Sequence, residues 1–95
     1  MNKIEKFKKK AEILKAMAHS TRLIVIDALK KGEKCVCELN DLVNADQSTL
    51  SRHLSVLKNA GIITDDKRGQ NVFYKLRCPC VLDYIDCIEK VIKNR

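Results

Sequence analysis

At 95 residues, 45% hydrophobic and 33% charged, the chain can bury one small core but not two, so residues 1–95 read as a single domain and not as a disordered tail. No run of about 18 apolar residues is present, which excludes a transmembrane helix and gives no reason to expect a membrane partner. The net charge of +7 favours a polyanion as partner, nucleic acid first.

The opening MNKIEKFKKK is basic but leads into no apolar segment. No signal peptide is read there, and the cytoplasm is the expected location. Ile4, Phe7, Ala11, Leu14 and Ala18 recur at steps of three and four, which predicts a first amphipathic helix. Ser20 is placed to cap a second helix over 21–30, with Leu23, Ile26 and Leu29 inward and Gly32 ending it. A short third helix is expected from about Val36 to Val43, with Asn44 and Ala45 as the turn. Asp46 then caps a fourth helix over 47–60, with Leu50, Leu54 and Leu57 on its buried face. Short helix, tight turn and longer helix make a helix-turn-helix.

Residues 62–64 read as a strand, 65–70 as a charged turn, and 71–76 as a second strand with Val72, Tyr74 and Leu76 alternating. The expected fold is therefore mainly α with a small β-hairpin, a winged helix-turn-helix. Pro79 is placed at the start of a last helix. That helix carries Val81, Tyr84, Ile85, Ile88, Val91 and Ile92, a wide apolar face. With the first helix it is read as a homodimer interface, against the plainer reading that both helices cap the core.

The fourth helix holds the strongest functional signal. Its start meets base edges if it enters a major groove. Gln47, Ser48, Thr49, Ser51, Arg52 and Ser55 flank or oppose the leucines. Gln can pair with adenine and Arg with guanine, and hydroxyls near a helix start can hold phosphates. Lys58 and the wing residues Lys67 and Arg68 are candidates for further phosphate contacts. The expected partner is double-stranded operator DNA.

Three stretches, LKAMAHSTRLIVIDAL (14–29), KCVCELNDL (34–42) and DQSTLSRHLSVLKNAGI (46–62), together resemble the ArsR–SmtB family of metal- and stress-responsive repressors. The wing RGQNVFYKL (68–76) fits as well, so the likeness covers nearly the whole chain. Ser20 departs from the proline common in the family. The resemblance implies a homodimeric winged-helix repressor that leaves its operator when an inducer binds.

Five cysteines, an odd number without an export signal, argue for reduced thiols and against a disulfide framework. Cys35-Val36-Cys37 resembles the metal-binding box of the family's arsenic, cadmium and lead sensors. Residues at i and i+2 on a regular helix point apart. Cys35 is therefore expected just before the third helix and Cys37 in its first turn, where the helix start and Lys34 favour thiolate. The third cysteine that arsenic sensors can carry three residues later is Asn40 here, so the box is incomplete. Cys80 and Cys87 lie about 10 Å apart along a straight helix, too far to share one ion with bonds of about 2.3 Å. The expected site is Cys35, Cys37 and Cys80, formed within or across chains, with Cys78 or Cys87 as substitutes.

All-sulfur ligation suits arsenite, antimonite, cadmium, lead or copper(I). The family's zinc site of Asp and His on the last helix has no histidine here. The leading expectation is a repressor released by a soft thiolate-bound inducer. The alternative is a redox or persulfide sensor in which two cysteines bridge. Below it stands a metal-storage or metallochaperone module. No enzyme is expected: no catalytic constellation is present, and nothing around Cys78-Pro79-Cys80 resembles a dithiol oxidoreductase.

Overall fold

The computed structural model describes residues 1–95, in the order α1 (Lys3–Met17), α2 (Ser20–Ala28), a 3-10 turn (Leu29–Lys31), β1 (Lys34–Cys35), α3 (Val36–Val43), α4 (Gln47–Asn59), β2 (Ile63–Arg68), β3 (Asn71–Leu76) and α5 (Val81–Asn94). Local chemistry fixes most of these boundaries. Asn2 accepts from the Glu5 N–H and starts α1. The Asp46 carboxylate accepts from the Thr49 N–H at 2.7 Å and starts α4, as a short acidic cap should. Asn44, at φ 49°, is the one non-glycine residue in the left-handed region. It ends α3 and turns the chain toward α4, a conformation asparagine tolerates better than most.

The core is small. Met17 from α1, Val25 and Ile26 from α2, Leu29, Leu39 from α3, and Leu50, Leu54 and Leu57 from α4 close on Ile62, Ile63 and Val81. The leucine stripe expected on the fourth helix is almost wholly buried, each residue at most 1% exposed.

Four local expectations need correction. The cap of α2 is His19, not Ser20. The His19 Nδ1 accepts from the Thr21 N–H at 3.1 Å, and Ser20 is already helical. The first wing strand is longer than 62–64. β2 runs to Arg68 and pairs with all of β3. The charged residues 65–68 belong to the strand, and the turn is only Gly69-Gln70. Positive φ at Gly69 alone fits a two-residue hairpin turn with glycine first. Pro79 precedes α5 by a full turn residue, and Cys80 is the cap position. Finally, β1 is a strand that periodicity did not reveal. It pairs antiparallel with β3 through Lys34–Tyr74 and Cys35–Phe73, giving a sheet of order β1-β3-β2.

Within one chain, the apolar faces of α1 and α5 stay open. Ile4, Phe7 and Leu14, and Tyr84, Ile88, Val91 and Ile92, are 48–68% exposed. Only Ala16, Met17 and Val81 of these two helices are buried. Capping the core therefore accounts for the inner ends of α1 and α5 and leaves the rest without a partner.

Replacing Leu54 with alanine is expected to cost about 2–5 kcal/mol, because a fully buried side chain leaves a cavity between α4 and its neighbours. Urea denaturation with unchanged m-value is the check. A loss below about 1 kcal/mol would show that this core collapses around the gap.

Candidate DNA-reading surface and thiol pair

The buried leucines leave one side of α4 facing outward. Gln47, Ser48, Ser51, Arg52 and Ser55 are exposed there, and Thr49 is half-buried. Not all of their polar atoms are free. The Ser48 hydroxyl donates to Asp46 at 2.8 Å, alongside the Thr49 N–H. These bonds, the backbone one first, hold the Asp46 carboxyl below its usual range. Ser48 thus helps close the helix start, while Gln47, Ser51, Arg52 and Ser55 make no side-chain hydrogen bond within the chain.

The wing is more self-contained than its sequence suggests. Lys58 donates to Asp65 at 2.9 Å, and that bond holds its ammonium pKa above the usual value. Arg68 donates Nη1 and Nη2 to the two carboxylate oxygens of Glu33, the latter at 2.9 Å, and Nε to Asp66 at 2.9 Å. It also stacks over Phe73, 4.7 Å from the ring centre. Of the three wing-side cations named from sequence, only Lys67 has no carboxylate partner. The charge excess lies elsewhere: α1 holds six lysines against two glutamates, a net +4 of the chain's +7.

His53, which by its place beside the leucine stripe reads as a packed or phosphate-bonded histidine, is part of a cluster that joins α1, α2 and α4. Arg22 donates Nε to His53 Nδ1 at 3.0 Å and Nη1 to the Lys15 and Ala16 carbonyls at the end of α1. His19 packs against His53 with ring centres 4.3 Å apart. His53 therefore needs an unprotonated Nδ1. Partial burial, then His19, Arg22 and Arg52, hold its pKa below the usual histidine value. Beside it an open cleft of about 480 Å³ is lined by Arg22, Arg52, Ser55 and Asn59 among others. The partners of His53 are not legible in the sequence, because their meeting depends on how α2 crosses α4.

Cys35 and Cys37 lie where the sequence placed them, at the cap and in the first turn of α3. Glu38 accepts from the Cys35 N–H at 3.1 Å, a contact that begins the helix. The two sulfurs are joined in a disulfide with Cα atoms 5.4 Å apart, which corrects the expectation of five reduced thiols. Cys35 is buried and Cys37 exposed, so solvent reaches the pair from one side. Cys78, Cys80 and Cys87 are free and exposed. No three His, Cys, Asp or Glu side chains gather in one chain as a metal site. The three-sulfur arrangement of Cys35, Cys37 and Cys80 is thus not assembled within a single chain. The first two sit where α3 leaves the sheet, and Cys80 sits at the start of α5.

Residues 19–65, from the α2 cap into β2, match the family of bacterial regulatory proteins called the arsR family. An uncharacterized HTH-type transcriptional regulator of Methanocaldococcus jannaschii, MJ1325, is 37% identical over 93% of this chain and all of its own length. The chain belongs to the ArsR family. The arsenic resistance transcriptional regulator ArsR1 of Pseudomonas putida is 38% identical over 82% of this chain, which spans 61% of that protein. HlyU of Vibrio cholerae superposes with a TM-score of 0.79 at 34% identity, covering 96% of this chain and 97% of HlyU. The fold is thus the winged helix of ArsR-family regulators, a helix-turn-helix class of DNA-binding proteins and not of enzymes.

The lowered His53 pKa, set first by partial burial and then by its cationic neighbours, gives a pH dependence with a definite sign. His53 prefers its neutral form in the fold, so just below pH 6.5, its ordinary value, the unfolded chain binds a proton that the folded chain resists. Stability falls as pH drops through that window and levels off below the folded pKa. Asp46 and Glu33, held low by their hydrogen bonds, add their losses only below their ordinary values of 3.8 and 4.5. His53→Gln, which keeps an acceptor but cannot titrate there, is expected to flatten the urea midpoint between about pH 7 and pH 5. An unchanged slope would remove His53 as its source.

Proposed function

We propose that the chain is a homodimeric transcriptional repressor whose grip on double-stranded operator DNA is set by the Cys35–Cys37 pair. The observation that carries this reading is the convergence of two sulfurs at the start of α3, one short helix and one left-handed turn ahead of α4. The open apolar faces of α1 and α5 support pairing of two copies. In the reading we favour for DNA, Gln47, Thr49, Ser51, Arg52 and Ser55 meet the major groove, and Ser48, Lys58, Lys67 and Arg68 lie nearest the phosphates. Base contacts come from the start of the helix and phosphate contacts fix its register.

The first inducer class is a soft ion: arsenite, antimonite, cadmium or lead. Two thiolates at one point suit such ions. Their third position would be filled by Cys80, Cys78 or Cys87 of a second copy. A relative named for arsenic resistance supports this class. The second class is an oxidant, favoured by the disulfide itself. Two thiols lose two protons and two electrons to the oxidant and become one S–S bond. Either event reshapes the first turn of α3 and, through it, the approach to α4.

The test is fluorescence anisotropy of reduced protein on DNA from its own upstream region, with arsenite added anaerobically. Near-stoichiometric release, by about 5- to 150-fold in affinity, supports the soft-ion inducer, and Cys37→Ser should then bind DNA and ignore arsenite. Release only by oxidant transfers the role to the disulfide. DNA binding that responds to neither leaves a repressor without this sensor. If some six phosphates are neutralised, wild-type affinity should fall about a thousandfold between roughly 50 and 200 mM salt. A flat salt response would remove the DNA assignment.

A further inference from the structure

Arg68 closes the outer end of β2, beside the hairpin turn, where the DNA reading needs a free cation. Three of its N–H groups are instead taken by Glu33 and Asp66. The Glu33 carboxylate meets the guanidinium in the two-point geometry that a phosphate also adopts. The pair is open to solvent, with side chains 39% and 48% exposed, so it adds little to stability and can be exchanged without dismantling the core. The hydrogen bond from the guanidinium also keeps the Glu33 carboxyl below its ordinary pKa, so the carboxylate is charged at neutral pH.

The position of Glu33 gives this contact a second meaning. Glu33 stands two residues before Cys35, on the segment that runs directly into β1. Lys34 and Cys35 are laddered to Tyr74 and Phe73 of β3, and Phe73 is the ring beneath Arg68. Cys35 and Arg68 therefore lie in one sheet, with Glu33 on the segment that enters it and Cys37 in the helix that leaves it.

We propose that Glu33 is a built-in competitor for DNA at Arg68, holding the guanidinium that a backbone phosphate would take, with a hold that depends on the state of the Cys35–Cys37 pair. The proposal rests on the repressor reading above and names the route by which its thiols reach the wing. In the disulfide form Glu33 keeps Arg68. In the reduced form the ring over residues 35–37 is open, Cys35 is no longer tied to the first turn of α3, and phosphate can displace Glu33 two residues upstream.

The experiment compares wild type, Glu33→Gln, Arg68→Ala and the double variant. Each is reduced or oxidised, and binds the upstream duplex and an unrelated duplex over a range of salt. Oxidised Glu33→Gln is expected to bind both duplexes several-fold tighter than oxidised wild type. Its log–log salt slope should be steeper by about 0.9 per chain, the signature of one added phosphate contact. The gap between its reduced and oxidised affinities should shrink. On an Arg68→Ala background the Glu33 change should do nothing. Glu33→Gln with unaltered slope and affinity, or with weaker binding at an unchanged urea midpoint, would overturn the proposal and leave the pair a wing brace. Failure of the repressor reading looks different. It appears in wild type itself, as no salt-dependent binding, and would overturn both, whereas salt-dependent binding that is equal in reduced and oxidised wild type would overturn this proposal alone.

Discussion

The side of α4 that faces outward is decided by three leucines. Leu50, Leu54 and Leu57 are drawn out of water against Val25, Ile26, Leu39 and Ile63, and their burial leaves the helix one orientation. Everything polar on α4 is exposed as a consequence of that packing. The same packing carries the start of α4 to the end of the Asn44 turn, and it aligns β2, which follows after Gly61. A core of a dozen buried residues has little redundancy, so the orientation of the outward face and the stability of the domain depend on the same few side chains.

Two polar networks are laid over this core, and they share no residue. The first ties the end of α1, the start of α2 and the middle of α4 through Arg22, His19 and His53. The second ties β1, β2 and β3 through the ladder and the Glu33–Arg68–Asp66 group. The first sets where α4 sits against the helices behind it. The second sets where the wing sits against the segment that bears the thiols. In the proposed function both parts meet one duplex, and no side chain of either network belongs to the other.

Much of this is legible in the sequence, and the limits follow a pattern. Period and punctuation revealed α1, α3 with its Asn44 turn, the Asp46 cap and the leucine stripe, because each is set by neighbours within a turn or two of chain. Asn71–Leu76 was legible for the same reason. What stayed hidden depends on distant partners. β1 is two residues long and exists only because β3 lies beside it. Charged residues 65–68 look like a turn until they are seen paired across to β3, with their side chains in water. His19 was passed over as a cap because serine next to it has the stronger local preference. Among the candidate site residues, the positions of Cys35 and Cys37 were foreseen from helix geometry alone. The neutralisation of Lys58 and Arg68 was not, since a count of charges cannot show which cations have already found a carboxylate.

Cys35 does three jobs at once: its backbone ends a strand, its N–H meets Glu38, and its sulfur closes on Cys37. Only the last requires sulfur. Serine is among the residues best suited to open a helix, and it would leave the strand ladder and the Glu38 contact in place. The sulfur here is thus a detachable trait, one atom deep, on backbone contacts that do not themselves require it. Under the proposed function, a lineage could gain or shed a thiol response by a single exchange at this position and keep the architecture around it whole.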